Sequence, residues 1–229
     1  MKTPTNPTAA APANSPNPDP WEAAYLSFET PEQEVEKFMT RLRKLGAHQW
    51  SKDAQIVELF CGRGSGLHAL HRLGFTRIEG VDLSPKLLAE YRGPGNIECC
   101  DCRQLPFPDA SRDIAIVQGG LHHLPTLPQD LELTLAQVHR VLRPGGRFVV
   151  VEPWLTPFLR FVHVVARNPV ARRLSKKLDA LQIMIEHEIR TYEQWLGQSE
   201  LIWGLLDAQF QTEVCQKSRG KLMYVGRRA

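Results

Sequence analysis

Between residues 56 and 151 short apolar runs alternate with helical stripes, and few chain folds accommodate that alternation. Residues 56–60 form an apolar run that enters the turn Cys61-Gly62-Arg63-Gly64-Ser65-Gly66, after which Leu67, Leu70 and Leu73 mark a helix closed by Gly74. A strand over 77–82, Ser84 as N-cap, a helix through Tyr91 and a strand over 96–100 complete two βα units. Residues 109–112 make a turn before the apolar run 114–117. The stripe Leu131, Leu135, Val138 and Leu142 then predicts a helix stopping at Arg143-Pro144-Gly145-Gly146, with a fifth strand over 148–151. Crossovers of this kind are right-handed and cover the sheet, so the pattern predicts a doubly wound α/β sheet, mostly parallel, with helices on both faces.

The flanks extend this plan. Val35, Phe38, Met39, Leu42 and Leu45 recur at three and four, predicting an amphipathic helix over 31–45 with Thr30 as N-cap. After the fifth strand, 155–188 reads as a largely helical, partly basic insert and 192–208 as another helix. Strands over 210–215 and 222–225 lie so close in sequence that they must be antiparallel to each other, giving a sheet with an antiparallel closing strand. Residues 1–20 alternate proline with small polar residues and predict a disordered tail, leaving one domain over 21–229. Trp21, Tyr25 and Phe28 precede the first helix, where they either cover a ligand or pack on the core.

With 229 residues, one domain is expected. A net charge of only +3 leaves no electrostatic footprint for a phosphate backbone, so nucleic acid is not an expected partner. The five cysteines, three of them at Cys99, Cys100 and Cys102, read as reduced thiols in a cytoplasmic compartment. Cys99 and Cys102 have CxxC spacing without a second pair, so they read as small packing residues and no metal is expected. No apolar run approaches the roughly 20 residues that cross a bilayer. Residues 157–185, which join apolar side chains to Arg167, Arg172, Arg173, Lys176 and Lys177, leave three readings open: a lid, a membrane-surface contact, or a solvated helical insert.

The glycines at the first strand-to-helix turn let a ligand approach the backbone. Their spacing is GxGxG, whereas dinucleotide sites carry GxGxxG, which disfavours a nicotinamide cofactor. Asp82 lies about 20 residues beyond Gly62, where an acid meets the two hydroxyls of a ribose; the plainer alternative is a cap for the helix after Ser84.

The motifs VELFCGRGSG, GVDLS, CDCRQLPFPDASRDIAIVQGGLHHL and VHRVLRPGGRFVVVEP, in this order, resemble those of the class I S-adenosylmethionine-dependent methyltransferases, over roughly residues 50–152. The resemblance implies a Rossmann-like seven-stranded sheet and S-adenosylmethionine as cofactor. It implies that Glu58 orients the methionine amino group, that Gly62 and Gly64 pass under the cofactor, and that Asp82 holds the ribose. Leu83 would pack on adenine, Asp101 would accept from the adenine amino group beside the Cys102 amide, and Gln118 would line the methionine end. Phe60 stands where the family usually has glycine, making the loop entrance bulkier, and Arg63 replaces a common small residue and is within reach of a substrate anion.

Methyl transfer from a sulfonium is an in-line displacement that mainly demands alignment. His122 or His123 is the candidate base for a hydroxyl or carbon acceptor, against the alternative that neither has a catalytic duty. Glu152, His163, His187 and Tyr192 are further candidates for the acceptor pocket. The expected activity is methylation of a small or lipophilic acceptor. Competing readings are an RNA or protein methyltransferase, and a cofactor-binding or regulatory protein of the same fold without turnover.

Overall fold

A computed structural model describes residues 29–187 and 189–229; the expected tail and Trp21, Tyr25 and Phe28 lie outside the described residues. Seven strands form one sheet in the order β3-β2-β1-β4-β5-β7-β6. They are β1 (Ile56–Leu59), β2 (Ile78–Asp82), β3 (Asn96–Cys99), β4 (Arg112–Gln118), β5 (Leu142–Pro153), β6 (Gln211–Ser218) and β7 (Lys221–Arg227). β1 pairs in parallel with β2 (Ile56 opposite Ile78) and with β4 (Glu58 opposite Ile116), while β7 runs antiparallel to both β5 and β6. This is the expected seven-stranded, mostly parallel sheet with one antiparallel strand.

Alternation along the strands sorts side chains onto two faces. Ile56, Ile78, Ile114, Ile116, Val149 and Val151 pack against α1 (Pro31–Lys44) and α2 (Ser65–Arg72). Val57, Leu59, Ala115, Val117, Phe148 and Val150 face α4 (Gln129–Val141) and α9 (Ser199–Gln209), whose inner positions include Leu135, Val138, Ile202 and Leu206. Thr30 caps α1 through a reciprocal pair, its Oγ1 accepting from the Gln33 amide at 3.2 Å while Gln33 Oε1 accepts from the Thr30 amide at 3.1 Å. α3 (Pro85–Glu90) is capped by Ser84 as expected.

Two expectations are corrected. β5 begins at Leu142, which pairs with Arg112, and the next pair is Arg147 with Ile114, so Arg143-Pro144-Gly145-Gly146 bulges out within the strand, with Gly145 at φ 78°. The single helix expected over 192–208 is two, α8 (Ile189–Gly197) and α9, separated at Gln198. Between the sheet and these helices, α5 (Pro157–Ala166), α6 (Pro169–Leu174) and α7 (Lys176–His187) form the basic segment.

Phe148 is fully buried and packs on Phe210 with ring centroids 5.3 Å apart. Phe148→Ala should lower the unfolding free energy by about 3–5 kcal/mol in urea titration, since a cavity opens where β5, α4 and α9 meet.

Candidate functional site

Chain order reverses across β1 and β4, and a cleft of about 620 Å³ opens beyond the carboxyl ends of the strands there. Its floor begins at the glycine turn. Phe60, Gly62 and Gly64 all have positive φ, at 57°, 51° and 80°. Phe60 thus occupies a left-handed backbone that glycine adopts without steric cost, which fits the glycine that the resemblance implies at this position. Its ring lies against Gly120, where an added Cβ would sit 2.3 Å from Phe60 Cγ.

Glu58 projects to the α1–α2 side of the sheet and is buried. A Cβ on Gly66 would stand 1.8 Å from Glu58 Oε1, so only glycine allows α2 to start over this acid. Burial pushes the Glu58 carboxyl up to about 8, and the nearby Glu34 adds to the shift. Among the described residues, Glu58 Oε2 and both amide atoms of Gln118 are buried without a well-formed hydrogen bond, and the neighbouring Gln118 side chain only partly offsets the rise of the Glu58 carboxyl. Three unsatisfied polar atoms at one end of a cleft are a costly arrangement that a ligand with donors and acceptors would repair.

Asp82 Oδ2 accepts from the Gly62 amide and Oδ1 from the Ser84 amide, both at 2.8 Å. Its carboxylate therefore joins the loops after β1 and β2, and helix capping itself falls to Ser84, whose Oγ accepts from the Leu87 amide. Leu83 lines the cleft with 66% of its surface exposed, a large apolar side chain held open to solvent. Asp101 is gripped by Arg103, with Nη2 to Oδ2 at 2.6 Å, and this guanidinium holds its carboxyl below the usual range. The other arm of Arg103 reaches Asp130 at 2.6 Å. Cys102 is buried, its Sγ 3.5 Å from Thr134 Oγ1, and burial pushes its thiol up to about 11. Glu58, Phe60, Gly62, Asp82, Leu83, Asp101, Cys102 and Gln118 all line the one cleft, with Gly64 in the turn beneath.

The two histidines differ. Glu152 is buried, its Oε1 accepting from the Gly120 and Leu121 amides at 2.7 and 2.8 Å and its Oε2 taking the His122 Nδ1 hydrogen at 2.7 Å. His122 is thereby built into the 3-10 turn Leu121–His123, and only His123 lines the cleft. Among the later candidates, His163 Nε2 and Tyr192 OH meet at 3.2 Å in a second cavity of about 230 Å³ between α5, α7 and α8. His187 instead lines the main cleft. Arg63 binds Glu90 at 2.7 Å, so part of its charge is already matched.

Sequence reasoning missed Glu34 and Phe38 of α1, which also line the cleft. The signal was present: an acid one turn before Phe38, at the border of the apolar stripe, sits where a helix faces both core and ligand.

Two predictions follow from these buried acids. The folded chain keeps a proton on Glu58 that the unfolded chain releases, between the ordinary value of 4.5 and about 8. The contribution of this residue to stability should therefore fall as pH rises through that window, and Glu58→Gln should flatten the slope in urea unfolding measured across it. Glu152→Ala strands two buried amides and the His122 ring, and should cost about 3 kcal/mol in the same assay.

Residues 57–150 match the family model described as a methyltransferase domain. A demethylmenaquinone methyltransferase of Chlorobaculum parvum is 28% identical over 126 residues, covering 54% of this chain and 46% of that protein. The chain thus spans about half the length of that relative. A crystal structure of a Pyrococcus horikoshii protein matches with a TM-score of 0.66 at 20% identity, covering 93% of this chain and 100% of that one. A Burkholderia thailandensis 1,6-didemethyltoxoflavin-N1-methyltransferase, solved with its acceptor and S-adenosylhomocysteine, matches with a TM-score of 0.55 at 21% identity over 96% of this chain and 94% of that one. The strand order and the glycine turn over Glu58 thus give the chain the fold of the solved structures it matches, and residues 57–150 resemble a methyltransferase domain.

Proposed function

We propose that this chain transfers the methyl group of S-adenosylmethionine to a small, lipophilic acceptor. The observation that carries the reading is the set of unpartnered buried atoms on Glu58 and Gln118 at one end of the cleft. An amino-acid end fits this set: an ammonium supplies donors to Glu58 Oε2 and Gln118 Oε1, and a carboxylate accepts from Gln118 Nε2. The neighbour solved with S-adenosylhomocysteine supports the same choice.

When bound, S-adenosylmethionine supplies an electrophilic methyl carbon on a sulfonium. The residues of the chain do the rest by position. Each Asp82 oxygen accepts one backbone amide and retains a lone pair for a ribose hydroxyl. Leu83, Asp101 and Cys102 line the cleft, and there Leu83 would offer an apolar surface to the adenine ring, with Asp101 and the Cys102 amide as its polar partners. His123, the member of the histidine pair that lines the cleft, takes the proton of a hydroxyl or carbon-acid acceptor. A lipophilic acceptor is supported by the name of the menaquinone-pathway relative and by Phe38, Phe60 and Leu124 in the cleft wall. The free thiols of all five cysteines support a reducing, cytoplasmic setting. Among the described residues no helix is long and apolar enough to cross a membrane.

Calorimetric titration with S-adenosylmethionine and S-adenosylhomocysteine tests the reading. The wild type should bind both, and Asp82→Ala and Glu58→Gln should each weaken binding on the order of tenfold or more, the scale of a lost hydrogen bond to a charged group. Absence of binding to the wild type would overturn it.

A further inference from the structure

Nine large apolar side chains are exposed among the described residues, and five of them fall between residues 158 and 174. Phe158, Phe161 and Val164 on α5 are 53%, 65% and 69% exposed, and Val170 and Leu174 on α6 are 63% and 83% exposed. Spacings of three and four place each set along one side of its helix. Exposed apolar residues scattered singly are ordinary, but a contiguous group on two consecutive helices marks a contact surface.

The charge of the same segment is one-sided. Residues 153–178 contain six arginines and lysines and no aspartate or glutamate, although the whole chain carries 28 basic and 25 acidic residues. The remainder of the chain is therefore net negative, and the excess of positive charge is confined to this segment. Arg160, Arg173, Lys176 and Lys177 are exposed and take part in no ion pair among the described residues, while Arg167 has only Glu193 at 3.9 Å. Arg172 alone is closely paired, with Asp179 at 2.7 Å and Glu186 at 3.5 Å.

We propose that the α5–α6 face rests on the surface of an anionic lipid bilayer. Apolar side chains enter the boundary between headgroups and acyl chains while neighbouring cations meet the lipid phosphates, and both requirements are present on this face. A second copy of the chain would set the same six cations against each other. A nucleic acid would meet the cations but leave side chains as exposed as Leu174 without a partner. The surface stands apart from the methyl-transfer reading, and the test below does not use it.

The purified full chain is mixed with vesicles of phosphatidylcholine alone or with added phosphatidylglycerol, and bound protein is measured by flotation. Binding is expected only to the anionic vesicles and should weaken as salt is raised. Phe161→Ser with Leu174→Ser, and separately Arg173→Ala with Lys177→Ala, should each weaken binding on the order of tenfold, with the thermal midpoint unchanged because all four side chains are exposed. The inference fails if the wild type ignores anionic vesicles at low salt, or if both double variants bind like the wild type. It fails equally if light scattering shows a dimer that the Phe161→Ser and Leu174→Ser pair dissociates, or if only nucleic acid competes for the basic residues.

Discussion

Asp82 is the point at which three loops are tied together. Its carboxylate takes the Gly62 and Ser84 amides, and its backbone carbonyl takes the Cys100 amide at 3.0 Å. The turns after β1, β2 and β3 therefore share one anchor, and the cleft wall they form depends on an acid whose charge is met by backbone amides instead of a cation. Amide dipoles fixed by a sheet lose little freedom in making such bonds, so the acid holds the three loops while staying partly solvent-facing.

The opposite wall rests on Glu152, which binds two amides and an imidazole in a similar way. Glu58 is the contrast. Among the described residues it has the burial of Glu152 without a full set of partners, and it lies where the ends of β1 and β4 meet a cavity. Unpaired buried polar atoms of this kind concentrate at sites of function, because folding alone gives no reason to keep them.

Much of the architecture was legible in the sequence because β alternation and helical stripes are local signals. The glycine turn, the Thr30 and Ser84 caps and the closing hairpin all stood where residue type and spacing put them. The start of β5 was not legible, since Pro144, Gly145 and Gly146 carry turn propensity and do loop out, as a bulge between the pairs Leu142–Arg112 and Arg147–Ile114, while the strand already begins before them. The break at Gln198 had a local signal that the helical reading passed over, since Gly197, Gln198, Ser199 and Glu200 interrupt the apolar stripe between Leu196 and Leu201. At the site, the residues on strand ends and their loops were legible together, whereas the burial of His122 was not: its partner lies 30 residues away, and no local pattern reports such a contact. Glu34 was different, because its place one turn before Phe38 at the border of the apolar stripe was a local signal that went unused.

The strand order gives the two sides of the cleft different ancestry within the chain. One side comes from β1 to β3 and their loops, braced at Asp82; the other comes from β4, β5 and the helices after residue 155, braced at Glu152. Because each brace closes within its own half, the later helices can drift in sequence, lengthen or be exchanged without disturbing the earlier loops. Such a chassis lets a lineage alter what approaches the far wall while inheriting the near wall intact.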